Sequence, residues 1–468
     1  SEAGRTPTTR SPVACDEAPG GESEAGAEPC RGRARSVLGA VAALCAAGVG
    51  IVLLINNAWS VTELEAASAA RAPTEHRGFL SPDTARASPA HARVAGAAEQ
   101  RFVSAPQLVP AVSVSLKAGR PALPSPMLAG YTGGATTEKI LAAVRAGVNT
   151  IYWCFLDLSN NGVIVRLNTS QVLEVHRALA AENRSVAHMV SIGGWNGHHN
   201  FSTGCSPEPC DGARFAASFE AFNAQTIADG EGWPGFTGID WDIEGHDDWN
   251  SSRNEFTLEE LAIMLEMSRA LRPKFAVSMV PSQSYFNCRE SGFDLSLRHA
   301  ALSNPDFKYA GRNVYAALYA KAPEVFDMVI VQLYEGYSDA GFDLYWGGSE
   351  ENVGADGWPR QGSARDMTRI VRENIECITN GSWAVDFDGF WGLPNRTVIR
   401  VPLDQAAIGL ANGWAPAYNF KFPYFQGVAA ARAIRAAGAG AAYWSIAEED
   451  AASSMTSALR GAAPAWAP

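Results

Sequence analysis

From residue 127 onward, short apolar runs alternate with longer stretches in which apolar residues recur every three or four positions. The first pattern predicts buried strands and the second predicts amphipathic helices. The predicted strands are 127–131, 150–155, 186–192, 236–244, 275–280, 328–334, 407–410 and 441–446. The helical patterns cover 136–146, 170–182, 213–228, 257–271, 364–378 and 427–437. Such an alternation over 126–460 predicts an α/β fold, a (β/α)₈ TIM barrel.

An open, doubly wound sheet is the alternative to the barrel. That fold places a glycine-rich, phosphate-binding turn after its first strand, and only Gly133 and Gly134 occur at this place. One helix start is clearly marked, because Thr257 followed by Glu260 is the signature of a capping box.

The segment 36–55 contains no charged residue and is long enough to cross a bilayer as a single transmembrane helix. Arg31, Arg33 and Arg35 precede it. Positive charge on this flank predicts a cytosolic N-terminus and a lumenal or extracellular barrel. A cleaved signal peptide, which would give a secreted protein, and a buried core helix are the alternatives.

The regions on either side of this segment differ from the barrel in composition. Residues 1–35 are rich in Gly, Pro, Ala, Glu and Arg without periodicity, and we interpret them as a disordered cytosolic tail. Residues 56–125 are rich in Ala, Ser, Pro and Arg and are interpreted as a flexible linker. Within this linker, the apolar stretch 102–116 is either a strand or a membrane-proximal patch.

Net charge, cysteine spacing and glycosylation sequons indicate which partners and modifications to expect. The net charge of −12 and the lack of a basic cluster argue against a nucleic-acid partner. No Cys/His spacing indicates a metal site. A disulfide could close the turn-like loop between Cys205 and Cys210, whereas Cys154 lies in an apolar strand and is expected to be buried and unpaired. Asn-x-Ser/Thr sequons, which favour exposure to the secretory pathway, occur at Asn168, Asn183, Asn200, Asn250, Asn380 and Asn395.

The fourth predicted strand carries the most informative chemistry. Asp240, Asp242 and Glu244 are two residues apart, so on a strand their side chains share one face. Crowded carboxylates repel one another, which raises the pKa of at least one of them and can keep an acid protonated near neutral pH. In a (β/α)₈ barrel the chemistry lies at the carboxyl ends of the strands. We therefore expect Glu244 at the mouth, with the two aspartates below it.

At this point the chain resembles glycoside hydrolase family 18, the chitinase family, over roughly 127–450. The strand-four pattern of that family, Asp-x-x-Asp-x-Asp-x-Glu, is matched by Thr237-Gly-Ile-Asp240-Trp-Asp242-Ile-Glu244. Its Ser-x-Gly-Gly pattern on strand three is matched by Ser191-Ile-Gly193-Gly194, followed by Trp195. Its Gln-x-Tyr pattern on strand six is matched by Gln332-Leu333-Tyr334, and its tryptophan on strand eight by Trp444. The segment between strands seven and eight is too short for the inserted α+β domain of some members.

The resemblance implies substrate-assisted, retaining hydrolysis of β-1,4 bonds next to N-acetylglucosamine, without a metal or organic cofactor. Glu244 is then the general acid, Asp242 orients the 2-acetamido group, and Tyr334 holds the oxygen of that group. Asp240 has either a structural or a proton-tuning role. Trp444 is expected to form the floor of the pocket. The further substrate-binding candidates are Gln332, Gly193, Gly194, Trp195, Tyr131 and Phe155, although core packing is the better prediction for the last two.

The chain departs from the family pattern at Thr237, where the first aspartate is missing, and this could alter the proton balance of Asp240. Two other functions remain open. One is an endo-N-acetylglucosaminidase that acts on N-glycans with the same chemistry. The other is a chitin-binding lectin on the same fold, although such lectins typically lack the acid, and Glu244 is present.

Overall fold

The computed structural model describes residues 116–117, 120–197, 201–202, 205, 209–246, 248, 251–297, 313–334, 340, 364–412, 424–449 and 454–461. The predicted tail (1–35), the apolar segment 36–55 and nearly all of the predicted linker lie outside these residues. At the end of the linker, Leu116–Lys117 pairs with Arg120–Pro121 in a small antiparallel sheet. Within the described part of the chain, no helix is both long and apolar enough to cross a bilayer.

Eight parallel strands form a closed barrel. They are β1 (Leu128–Tyr131), β2 (Thr150–Ser159), β3 (Ala187–Gly193), β4 (Gly238–Asp242), β5 (Ala276–Met279), β6 (Met328–Gln332), β7 (Ala406–Ala411) and β8 (Gly440–Trp444). Each strand pairs with the next in sequence, and β8 pairs with β1, which closes the barrel. The predicted (β/α)₈ barrel is thereby confirmed, and the open sheet is excluded.

A helix follows each strand of the barrel. These helices are α1 (Thr137–Ala146), α2 (Thr169–Ala181), α3 (Gly212–Phe222), α4 (Leu258–Leu271), α5 (Val314–Lys321), α6 (Ala364–Thr379), α7 (Tyr424–Ala437) and α8 (Met455–Gly461). The predicted capping box starts α4, because Thr257 Oγ1 accepts from Glu260 N–H and the Glu260 carboxylate accepts from Thr257 N–H. The predicted helix 213–228 is interrupted, since α3 ends at Phe222 and a π-helical turn, Asn223–Ile227, follows.

Two helices of the barrel have no counterpart among the predicted helical patterns. Helix α5 is buried from Val314 to Tyr319, so it has no polar face and therefore none of the periodicity that marks an amphipathic helix. Helix α8 has only seven residues, too few for a periodic pattern to stand out.

Strand β2 continues beyond the barrel and turns back on itself. Its last residues pair antiparallel with a further strand, Gly162–Val165, and form a β-hairpin. The tip of this hairpin is bonded to the loop that precedes α3, because Asn161 donates to the Pro209 carbonyl and accepts from Asp211 N–H.

The apolar side chains form two layers on opposite sides of the barrel wall. Outward-facing residues such as Ile239 and Trp241 on β4 pack with the helices in one large cluster. A smaller cluster fills the barrel interior and includes Tyr131, Tyr152 and Met189. Trp241 also donates from Nε1 to Ser268 Oγ on α4 at 2.8 Å, and this bond fixes β4 against its helix.

Two disulfides are present among the described residues. Cys205–Cys210 confirms the predicted loop closure, and Cys288–Cys377 ties the segment after β5 to α6. Cys154 is unpaired, as predicted, but its side chain is half-buried rather than buried.

The sequon asparagines Asn168, Asn183, Asn380 and Asn395 are exposed, whereas Asn200 and Asn250 lie outside the described residues.

Candidate active site

The three carboxylates of the fourth strand converge at the carboxyl end of the barrel. Asp240 and Asp242 lie on β4, and Glu244 follows two residues after the strand ends. All three side chains are buried. Ile239 and Trp241 point to the helices, so the alternation of the strand directs Asp240 and Asp242 into the barrel.

Three hydroxyl groups surround the deepest carboxylate, Asp240. Ser278 donates to its Oδ1 at 2.6 Å, and Tyr131 and Ser191 each donate to its Oδ2 at 3.0 Å. Burial raises the pKa of Asp240 to about 6, and these hydrogen bonds oppose the increase because they favour the ionised form. Tyr131 is thus a buried residue inside the barrel, as its predicted core packing requires, and it contacts Asp240 directly.

The amide of Gln332, the last residue of β6, joins the other two carboxylates. Its Nε2 lies 3.2 Å from Asp242 Oδ1 and 3.0 Å from Glu244 Oε1, and it also donates to the Val280 carbonyl at 2.7 Å. Gln332 Oε1 has no hydrogen-bond partner among the described residues. A single donor group therefore fixes the relative position of Asp242 and Glu244.

The carboxyl group of Glu244 titrates near neutral pH. Burial raises its pKa to about 7, although Gln332, Ser282 and the Trp195 backbone N–H all donate to it and oppose this increase. The Ser282 hydroxyl lies 3.3 Å from Glu244 Oε1. Trp195 thus contacts the carboxyl group through its backbone, a contact that no side-chain pattern predicts.

The backbone between Asp242 and Glu244 is fixed by Tyr315, which lies on α5. The Tyr315 hydroxyl accepts from Ile243 N–H at 2.7 Å and donates to the Ile243 carbonyl at 3.1 Å. Both polar groups of the linking residue are therefore satisfied by one buried side chain.

Two glycines, the last residue of β3 and the residue after it, allow the Asp242 backbone and the Phe155 ring to approach the end of this strand closely. Gly193 has a φ of 108°, and a Cβ there would lie 2.5 Å from the Asp242 carbonyl oxygen. Gly194 has a φ of 81°, donates from its N–H to the Asp242 carbonyl at 2.6 Å, and would bring a Cβ within 2.6 Å of the Phe155 ring. Only glycine fits such positions without strain.

Aromatic rings line the mouth next to the carboxylates. The half-buried Trp444 ring stacks on Phe155 at 5.9 Å and lies tilted at 6.1 Å from Tyr131. Tyr334 is buried and lies two residues past the end of β6. The pKa of the Tyr131 phenol is raised mainly by burial, and Tyr334 lies close enough to contribute to this increase. The structure thus brings every predicted site residue to one end of the barrel.

The interpretation of Thr237 requires correction. Its side chain does not contact Asp240; its Oγ1 accepts from His188 N–H on β3 at 2.9 Å. Residues three apart on a strand point to opposite faces, so Thr237 and Asp240 are separated by the barrel wall. Thr237 joins β4 to β3 and does not take part in the proton balance of Asp240.

Sequence reasoning placed Ser191 in a motif but assigned it no contact with Asp240. It missed three further residues that contact the carboxylates or the backbone between them: Ser278, Ser282 and Tyr315. A polar residue in the middle of the apolar run 275–280 was a usable signal for Ser278. Tyr315 gave no signal, because it lies on the helix that lacks a polar face.

Among the described residues, no group of three or more His, Cys, Asp or Glu side chains could hold a metal ion.

The sequence profile of glycosyl hydrolases family 18 matches residues 127–363. No curated protein matches the chain. The solved structures to which the chain is similar include a family 18 chitinase from Chromobacterium violaceum, with 17% identity, a TM-score of 0.47, and coverage of 72% of this chain and 85% of that chain. Another is a family 18 chitinase from Pseudoalteromonas aurantia, with 14% identity, a TM-score of 0.44, and coverage of 72% and 100%.

The profile extends over half of the chain and includes β1 to β6, which carry all the carboxylates described above. The chain therefore belongs to the glycosyl hydrolases of family 18, and it is a glycosidase.

Proposed function

We propose that this glycosidase cleaves β-1,4 bonds next to N-acetylglucosamine in chitin or chito-oligosaccharides, by substrate-assisted retaining catalysis. The observation that carries the proposal is the shared contact of Asp242 and Glu244 with Gln332. It places a carboxyl group with a pKa of about 7 beside a second carboxylate, at the mouth of a pocket with aromatic walls.

Glu244 supplies the proton. With a pKa of about 7 it is largely protonated at slightly acidic pH, as a general acid for the glycosidic oxygen must be. The carboxyl group can later accept a proton from water, because a pKa near the working pH serves both directions of transfer.

Asp242 orients the 2-acetamido group of the sugar. The carbonyl oxygen of this group attacks the anomeric carbon while the bond to the glycosidic oxygen breaks, so that a cyclic oxazolinium ion forms and the leaving sugar departs with the proton from Glu244. The negative charge of Asp242 stabilises the positive charge that develops on this ring. Tyr334 holds the acetamide oxygen through its hydroxyl, and the ring of Trp444 stacks on the apolar face of the sugar. Asp240 has a pKa of about 6, and in its ionised form its negative charge favours a proton on the Asp242–Glu244 pair.

The test is hydrolysis of a fluorogenic chitotrioside by the wild type and by Glu244→Gln. We expect turnover to fall by at least roughly a hundredfold, the usual contribution of general acid catalysis, with oligosaccharide binding retained. Unchanged turnover in the folded variant would exclude Glu244 as the acid. NMR of the fresh product should show the β anomer, and a thiazoline analogue of the oxazolinium ion should inhibit.

We further propose that the barrel lies on the lumenal or extracellular side of a membrane, anchored by segment 36–55. The exposed sequon asparagines Asn168, Asn183, Asn380 and Asn395 support this proposal. Protease added to sealed microsomes should remove only the N-terminal tail, and deglycosylation should shift the mobility of the protein. Complete digestion without detergent would contradict the orientation.

A further inference from the structure

The β-hairpin formed by β2 and Gly162–Val165 extends one wall of the pocket away from the carboxylates. Phe155 lies where the hairpin leaves the barrel, and its ring stacks on Trp444. The Arg166 N–H donates to the Phe155 carbonyl, so these two residues are opposite each other on the hairpin.

One face of this hairpin carries a continuous set of side chains that starts at Phe155. The Arg166 guanidinium lies over the Phe155 ring at 5.4 Å, and its Nε lies 2.9 Å from Asp157 Oδ2. Ile164 is paired with Asp157 in the strand register and therefore belongs to the same face. Ile164 is two residues further along the hairpin than Arg166, or roughly 7 Å beyond it.

The opposite face of the hairpin packs against the outer core. Leu156 and Leu158 are buried in the outer core, and Val163 packs against that core. The face that carries Phe155 is thus the one directed to the mouth, and there Ile164 is 45% exposed. An exposed isoleucine that continues an aromatic pocket wall, rather than lying alone on the surface, is a candidate contact for a ligand.

The groups on this face fit a neutral sugar. Asp157 neutralises the Arg166 guanidinium, so the face offers no net positive charge to an anionic glycan. The Arg166 Nη2 donates to the Gly193 carbonyl, which holds the exposed guanidinium beside the mouth, where its N–H groups can donate to hydroxyl oxygens of a sugar. The aliphatic side chain of Ile164 can pack against the apolar face of a sugar ring.

We propose that this hairpin face, formed by Phe155, Arg166 and Ile164, binds the sugar units of the substrate that lie beyond the pocket. The occupant is a neutral β-1,4-linked chain of N-acetylglucosamine, and the site makes the enzyme prefer longer oligosaccharides. This inference rests on the proposed chitin-degrading function.

The test compares the kcat/KM of the enzyme for unlabelled chitohexaose and chitotriose. Loss of the apolar contact in Ile164→Ser should lower the hexaose-to-triose ratio of kcat/KM by about threefold or more. Ile164→Trp, which offers a larger ring for stacking, should raise the ratio. Val165→Ser is the matched control, because Val165 is 40% exposed in the same strand but lies on the opposite face.

A ratio that stays at the wild-type value in both Ile164 variants would overturn the inference and leave the proposed function intact. An equal change in Val165→Ser would also overturn it, because the effect would then come from the stability of the hairpin. A wild type that cleaves neither oligosaccharide would reject the proposed function, and the inference with it.

Discussion

The phenol of Tyr315 forms hydrogen bonds to both the N–H and the carbonyl of Ile243, at 2.7 and 3.1 Å. Ile243 lies between the two carboxylates that act on the substrate in our proposal, so a helix on the outside of the barrel fixes their spacing.

We predict that Tyr315→Phe lowers kcat by roughly tenfold or more while KM changes less, because a small misplacement of catalytic groups acts on the transition state. Steady-state kinetics on a chito-oligosaccharide would measure this. Tyr285→Phe is a suitable control, since Tyr285 is also buried and stacks on Tyr315 but donates to the Leu297 carbonyl. Equal losses of kcat in both variants would show that general packing, and not the bond to Ile243, is responsible.

Gln332→Met should shift the pH dependence of activity. The Gln332 amide favours the ionised form of Glu244, so its removal should raise the pKa of Glu244. Because the acid must be protonated, the alkaline limb of the pH–rate profile should move to higher pH, with activity at the optimum reduced. Gln283→Met is the control, because Gln283 is also a buried glutamine but donates to Asn374. The alkaline limb of this variant should stay in place. An unmoved limb in Gln332→Met would contradict the assigned contact.

Ser278→Ala removes the shortest hydrogen bond to Asp240. The variant should lose about 1–3 kcal/mol of stability, the cost of a missing partner for a buried group. The pKa of Asp240 should also rise, so that the acidic limb of the pH–rate profile moves to higher pH. Ser268→Ala removes a buried bond to Trp241 outside the barrel and should lose stability without this shift. Identical pH profiles for both variants would assign Ser278 a structural role only.

Glu244→Gln should stabilise the protein at neutral and alkaline pH. The pKa of Glu244 is raised from 4.5 to about 7, so between these values the unfolded chain has lost a proton that the folded protein keeps. The free energy of unfolding of the wild type therefore falls over this window, by roughly 2 to 3 kcal/mol. Gln cannot ionise, so the melting temperature of the variant relative to the wild type should increase from pH 5 to pH 8. Glu266→Gln, at an exposed position of α4, controls for the loss of one charge. A constant difference in melting temperature would show that Glu244 is not buried as described.

Thr237→Val should lower stability by about 1 kcal/mol, because His188 N–H then loses its acceptor. The pH–rate profile should be unchanged, since Thr237 lies on the other side of the barrel wall from Asp240. A shifted profile in Thr237→Val, or in Thr237→Asp, would restore the original hypothesis that this position acts on the proton balance of the site.

The sequence by itself determined the architecture and the central chemistry. Short apolar runs between helical patterns predicted the strands. A period of two along β4 placed Asp240 and Asp242 on one face, opposite Ile239 and Trp241. These are local properties of the backbone, and they hold whatever the strand packs against. The same local logic identified the capping box of α4 and the loop closed by Cys205 and Cys210.

Only the tertiary structure decided which groups surround those carboxylates. Ser278 and Tyr131 reach Asp240 from strands far apart in sequence, and Gln332 joins Asp242 to Glu244 across the barrel mouth. Such contacts depend on the closure of the barrel. Thr237 is the opposite case. Its place in the motif suggested an effect on Asp240, but its side chain points the other way and accepts from His188 N–H on β3. A pattern fixes the face on which a side chain lies, whereas its neighbours, its burial and hence its pKa follow from how the strands are brought together.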